Sequence, residues 1–155
     1  MPYIREMELV RADGYLITDD QTRLDLLQIH HWLSNESYWA TGRSMEQVEK
    51  SVRESITLGS FAPDGVPVGV SRLVTDRTTF AWLCDVFVDK DFRGRGLGRF
   101  LVEAALSHPE VKGIEKVLLA TGAAHDLYRK FGFISLAEPQ RWMELRPAPS
   151  TPRDI

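Results

Sequence analysis

Val86-Phe87-Val88-Asp89-Lys90-Asp91-Phe92-Arg93-Gly94-Arg95-Gly96-Leu97-Gly98-Arg99 carries an apolar strand through a glycine-rich loop directly into an amphipathic helix. Closely spaced glycines let a backbone approach a ligand, and the first turn of a helix presents N–H groups with no partner in the helix. The helix dipole favours negative charge at that end. Arg93, Arg95 and Arg99 add cations at the same point. The stretch therefore predicts a pyrophosphate cradle. A P-loop requires Gly-Lys-Ser/Thr, whereas Gly98 is followed by Arg99 and Phe100, so that reading fails. A dinucleotide fingerprint requires a glycine where Arg99 or Leu101 stands, and that reading fails too.

Outward from this loop, the sequence predicts strands over Leu58 to Ala62, Val66 to Thr75 and Thr79 to Val88, with turns at Asp64-Gly65 and Asp76-Arg77. Gly98 to Ser107 reads as a helix with Pro109 beyond its end, and Val117 to Thr121 as a short apolar strand. A strand, a helix and a second strand imply a right-handed parallel crossover. Upstream, Met7 to Val10 and Tyr15 to Thr18 flank Asp13-Gly14 as a hairpin. A first helix is expected from Asp19 or Asp20 to about Leu33, then a loop from Ser34 to Ser44. A second helix is expected over Met45 to Ile56, with Ser44 and Gln47 as a capping box. Downstream, Ala124 to Lys130 reads as a short helix, with Ile134 to Leu136 and Trp142 to Leu145 closing the sheet. The expected class is α+β, a mixed sheet with helices on both faces.

At 155 residues one domain is expected, residues 1–146, with a flexible tail over 147–155. The net charge of -3 lacks the basic excess of a nucleic-acid binder. No apolar run is long enough for a membrane span, and Met-Pro-Tyr-Ile-Arg-Glu lacks a signal-peptide core. Cys84 is the only cysteine, so neither an intrachain disulfide nor a cysteine-based zinc site is expected. His30 and His31 would point about 100° apart on a helix, poorly placed to share a metal. These features fit a cytoplasmic enzyme without a metal.

Arg93-Gly94-Arg95-Gly96-Leu97-Gly98 matches the Arg/Gln-x-x-Gly-x-Gly/Ala signature of the GNAT superfamily of N-acetyltransferases. Farther on, Ala124-His125-Asp126-Leu127-Tyr128-Arg129-Lys130-Phe131-Gly132-Phe133 resembles that family's second signature, Ala-x-x-Leu-Tyr followed by Phe-Gly-Phe. The resemblance runs from about Tyr15 to Leu145. A narrower likeness, in Tyr38-Trp39-Ala40, in Arg72 with Thr75-Asp76 and in Asp85-Val86-Phe87-Val88, is to small single-domain members, mostly uncharacterised. The resemblance implies a mostly antiparallel sheet with one parallel β-α-β crossover at the coenzyme A site. It implies acetyl-CoA as donor, a small-molecule or peptide amine as acceptor, and direct transfer in a ternary complex. Many members are dimers, so a homodimer is compatible with it. A non-catalytic acyl-CoA-binding module is the alternative.

Carried onto this chain, donor binding falls to Val86, Phe87, Val88, Arg93, Gly94, Arg95, Gly96, Leu97, Gly98, Arg99, Leu127 and Tyr128. Thr121 belongs to the same donor-binding set: it stands where many members have an asparagine that touches the cofactor or a bound water, and it keeps a hydroxyl there. A backbone N–H of Phe87 or Val88 would serve the oxyanion. Tyr128 occupies the family position for protonating the thiolate, and a phenol with a reference pKa near 10 is protonated at neutral pH. An ammonium acceptor is deprotonated in only about one molecule in two thousand at neutral pH, so a base is useful. Asp85, in an apolar run, is the candidate, with a salt bridge to Arg72 as the competing reading. Simple alternation puts Asp85 on one face with Leu83 and Phe87, and Cys84 opposite as a small buried group. Tyr38, Trp39 and Arg72 are candidates for the acceptor pocket, and Asp76 or Glu36 could attract a cationic acceptor.

Overall fold

The computed structural model describes residues 6–147, in two compact units, Met1–Thr121 and Gly122–Ile155. The first unit holds a six-stranded sheet whose spatial order follows the chain. Its strands are β1 (Glu8–Val10), β2 (Leu16–Thr18), β3 (Ile56–Phe61), β4 (Pro67–Thr75), β5 (Ala81–Val88) and β6 (Val117–Leu118). Neighbours are antiparallel from β1 to β5: short turns join β1 to β2, β3 to β4 and β4 to β5, whereas the long stretch between β2 and β3 carries helices. β5 and β6 are parallel, and the connection between them carries the helix after the glycine loop. The expected α+β class and crossover are both present.

Helices cover both faces. On one side, α1 (Leu26–His30), its π-helical continuation (His31–Glu36) and α2 (Met45–Arg53) bury Ile29, Trp32, Leu33, Val48 and Val52 against Val70 and Phe87. On the other side lies α3 (Leu97–Leu106), so close that a Cβ on Gly69 would stand 3.0 Å from Leu101 Cδ1. Leu97 packs there with Tyr15, Ala62 and Val68.

The first helix is broken where one run was expected. Asp20 accepts from the Thr22 N–H and closes a 3-10 turn over Gln21–Arg23. Asp25, in extended conformation, then accepts from the Gln28 N–H and starts α1 afresh. Two acids able to cap thus divide the segment, since each draws its backbone out of the helical region. α2 begins with the expected Ser44–Gln47 capping box but stops at Arg53, because Ile56 already belongs to β3.

The second unit contains α4 (His125–Arg129) and a 3-10 turn over Pro139–Arg141. The strands expected over Ile134 to Leu136 and Trp142 to Leu145 do not form. Ile134, Met143 and Leu145 are 84%, 97% and 87% exposed, so these apolar residues gain no burial that would hold an extended segment in a ladder. The tail beyond Pro147 lies outside the described residues.

Candidate active site

At the end of β5, Asp89 sets the course of the loop. Its N–H donates to Val68 O at 2.8 Å, one carboxylate oxygen accepts from the Asp91 N–H at 2.9 Å, and the other accepts from Trp32 Nε1–H at 3.0 Å. A 3-10 turn over Lys90–Phe92 follows, then Gly94 and Gly96 at φ +80° and +75°. Those left-handed conformations explain glycine at both positions. Gly96 is the N-cap of α3, and it has no side chain with which to cap. Buried Leu97 anchors the helix start.

Gly98 is different. It has no positive φ, and a Cβ there would meet only Val88 Cγ2 at an ordinary 3.9 Å. Glycine in a helix costs about 1 kcal/mol relative to alanine, and nothing among the described residues demands it here. A Cβ on Gly94 would likewise meet nothing within 4 Å. The loop therefore leaves space where a ligand backbone could approach the first turn of α3.

Arginines surround that space. Arg93 Nε donates to Val88 O at 3.0 Å, and its guanidinium lies over the Phe87 ring. Arg95 Nη1 donates to the Tyr15 hydroxyl at 3.1 Å and lies over Phe92. Arg99 is exposed on α3. Arg11, on the hairpin, was not singled out by the sequence. Its Nη1 comes within 3.5 Å of the position a Gly96 Cβ would take, and it stacks on Tyr15 and Phe100 while pairing with Asp13. Glycine-opened backbone, a helix N-terminus and clustered guanidiniums suit the diphosphate of a coenzyme.

β5 also parts from its parallel neighbour. β6 pairs only with Ala81 and Trp82, so from Leu83 to Val88 that edge has no strand partner among the described residues. On its other edge, β5 pairs with β4 through a bulge: Arg72 faces Cys84 and Val70 faces Phe87, leaving Ser71 opposite both Asp85 and Val86. Asp85 takes φ +53°. The extra residue corrects the face expected from simple alternation: Cys84 and Phe87 now share a face, with Arg72 and Val70. The bulge aims the Asp85 carboxylate toward Arg72, the re-aiming that such irregularities achieve.

The side chain of Asp85 is 2% exposed and accepts three hydrogen bonds. Trp39 Nε1–H donates to one oxygen at 2.9 Å; Arg43 Nη1 and Arg72 Nε donate to the other at 2.8 and 3.0 Å. Arg72 Nη1 also donates to Ser55 Oγ at 2.9 Å. Burial pushes the Asp85 carboxyl up, but Arg72 and Arg43 outweigh it and hold it below the usual carboxylate range. Of the two sequence readings, the salt bridge to Arg72 is therefore present. Arg43, the second cation, was missed, since its place in a loop signalled nothing.

Half-buried Cys84 has its thiol pushed up to about 11 by burial, so it is the thiol and not the thiolate at neutral pH. Trp39 and Tyr38 meet edge to face at 5.0 Å and are 41% and 67% exposed. Asp76 spends its carboxylate on the Thr79 hydroxyl and the N–H groups of Thr78 and Thr79, capping its turn. Glu36 pairs with His31.

In the second unit, α4 carries Leu127 and Tyr128. Tyr128 is buried, meets Phe133 edge to face at 5.8 Å, and its carbonyl accepts from the N–H groups of Phe131 and Phe133. The Phe-Gly-Phe turn thus folds back on the helix that presents the tyrosine. Thr121 is half-buried at the end of the first unit. Among the described residues no cluster of three or more His, Cys, Asp or Glu could hold a metal, and no helix is long and apolar enough to cross a membrane.

The profile of the acetyltransferase (GNAT) family matches residues 26–133. The crystal structure of a GNAT-family acetyltransferase from Xanthomonas campestris pv. campestris superposes with a TM-score of 0.83 at 36% identity, covering 86% of this chain and 93% of that one. An acetyltransferase from Gibberella zeae is 25% identical over 140 residues, 76% of this chain and 78% of its own length. The mycothiol acetyltransferase of Cellulomonas flavigena is 35% identical over 98 residues, 59% of this chain but only 25% of that enzyme.

Proposed function

The chain belongs to the GNAT family of acetyltransferases, and from that premise we propose that it moves the acetyl group of acetyl-CoA to a primary amine by direct attack in a ternary complex. We take residues 1–146 as one catalytic domain, because the family profile runs without a break across the boundary between the two units. Gly98 is the observation that carries the reading: a helical glycine its own fold does not require, at the mouth of an arginine-rimmed loop.

Acetyl-CoA supplies the activated acyl group. Backbone N–H groups between Arg93 and Arg99, with the α3 dipole and the surrounding guanidiniums, hold its diphosphate. A main-chain N–H of Phe87 or Val88, on the parted stretch of β5, donates to the thioester oxygen as negative charge grows there. One such donor is typically worth a few kcal/mol of barrier. Tyr128 donates its hydroxyl proton to the departing thiolate; support for this role is its place in the second motif. Asp85, accepting from Arg43, Arg72 and Trp39 and held below the usual carboxylate range, acts as a positioning residue, and the amine loses its proton to solvent. A protonated Cys84 disfavours an acyl-cysteine route.

Calorimetry with acetyl-CoA and a thiol-release assay over a panel of amines test the proposal. Micromolar binding, amine-dependent thiol release and intersecting double-reciprocal lines are expected. Tyr128→Phe should lower kcat by about a hundredfold, the scale of general acid catalysis, with little change in acetyl-CoA affinity. Binding without any thiol release would leave a coenzyme-binding module instead. No binding at all would remove the donor.

A further inference from the structure

Two guanidiniums and one carboxylate meet beneath Trp39, and their charges do not cancel. Arg43 and Arg72 both bond the same oxygen of Asp85, so they lie side by side around it, with a surplus of one positive charge. Their side chains remain 24% and 14% exposed, while the carboxylate between them is closed off at 2%. Arg43 has spent only Nη1, and Arg72 only Nε and Nη1; the remaining donors of both bond nothing among the described residues. Beside them stands an aromatic edge, Tyr38 against Trp39, with the Trp39 ring held in place by its own bond to Asp85. Exposed aromatic surface next to half-buried, unspent guanidinium donors is the composition of a site that grips an oxyanion and rests an apolar group beside it.

We infer that this cluster selects an acceptor carrying a carboxylate, held by Arg43 and Arg72 with its apolar portion against Tyr38 and Trp39. The inference rests on the acetyl-transfer reading and narrows it from any primary amine to amino-acid-like amines. A carboxylate matches the single surplus charge and the fork of a guanidinium, whereas a phosphate dianion would exceed that charge. Asp85 is the internal counterpart: it bonds the guanidiniums from the core side, and the acceptor would bond them from the open side. The same arrangement repels an amine with no acid group, because the ammonium would then face uncompensated cations.

The test uses matched pairs. Protein labelled with nitrogen-15 is titrated, without coenzyme A, with N-acetylphenylalanine and with its amide, following the Trp39 indole N–H and the Arg43 side chain. The carboxylate should give saturable shifts at both groups and bind at least about tenfold more tightly than the amide, the scale of one charge-assisted hydrogen bond. Equal, non-saturating shifts from both compounds would overturn the inference. Turnover with acetyl-CoA is then compared for phenylalanine and phenylalaninamide. The amide is the less basic amine and more often neutral, so intrinsic reactivity favours it. A kcat/KM preference for the acid is expected all the same, reduced by Arg43→Gln and partly restored by Arg43→Lys, which keeps the charge but loses the fork. Acetylation that ignores the carboxylate would sink this inference and leave the acetyl-transfer reading standing. Failure to bind acetyl-CoA would sink that reading, while the titration would still decide whether the cluster binds an anion.

Discussion

Asp85 shows what a single residue needs to survive as an ion inside a core. Removing a carboxylate from water costs several kcal/mol, and only well-placed partners offset it. Here three donors and a bulge with φ +53° deliver the side chain to them. Asp85→Asn would keep the shape but leave two guanidiniums facing a neutral amide. A loss of about 3–5 kcal/mol is expected, the usual cost of breaking a buried pair. The sign of the pH dependence follows from the lowered folded pKa. The stability Asp85 contributes is complete above its unfolded value near 3.9 and is lost as pH falls through the lower folded value. Urea unfolding followed against pH should therefore show a shallower acid limb in the variant. An unchanged limb would assign it to other carboxylates. The ratio of wild-type to variant kcat/KM should stay flat across pH, since a positioning residue is ionised throughout; a ratio that grows toward low pH would restore Asp85 as the base.

Among the elements, α3 and its loop were the most legible. Glycine spacing, arginines and the apolar stripe are local signals, and Leu97–Leu106 forms within a residue or so of where the pattern placed it. The segment before α2 was less so. Its amphipathic stripe was visible, but two capping aspartates compete with one continuous helix, and propensity alone does not say which wins. The bulge in β5 left no trace in the hydrophobic alternation, which continues through it, so Cys84 was placed on the face opposite Phe87 when the two share one. The conflict at Gly98 between helix preference and ligand space yields a prediction with opposite signs. Gly98→Ala puts a methyl into open space, 3.9 Å from Val88, and restricts the unfolded chain. Stability should rise by about 0.4–1 kcal/mol and Tm by about 1–4 °C. The same methyl should crowd a coenzyme bound against the helix turn, weakening acetyl-CoA at least about tenfold, or about 1.4 kcal/mol. Calorimetry and thermal melts on one preparation check both. A more stable variant with undiminished affinity would show that the coenzyme does not approach Gly98.

Across the whole molecule, the first hairpin, the meander of β3 to β5 and the crossover to β6 were readable because turns and crossovers are short-range rules, whereas the pairing of β2 with β3 was not. The contacts that pin distant segments were not. Arg43 to Asp85, Trp32 to Asp89 and Arg11 beside Gly96 each join residues whose local sequence carries no mark of the partner. The first unit has one more such tie. His108, fully buried after α3, donates from Nε2 to Asp19 Oδ2 at 2.7 Å, while its Nδ1 accepts from the Glu110 N–H at 3.1 Å. Asp19 Oδ1 in turn accepts from the Met7 N–H at 2.6 Å. One imidazole thus ties the end of α3 to the hairpin of β1 and β2, across a sequence separation of 89 residues. His108→Ala removes the donor, leaves a buried carboxylate short of a partner and opens a cavity, which should cost about 3 kcal/mol or more. His108→Gln can still offer an N–H to Asp19 and should recover part of that loss. In urea, both midpoints should fall with the m-value unchanged, because the surface exposed on unfolding is the same. Acetyl-CoA affinity of the folded protein should stay at the wild-type level, since His108 belongs to neither the glycine loop nor the Asp85 cluster. A midpoint unmoved by His108→Ala would mean that α3 and the hairpin hold together by apolar packing alone.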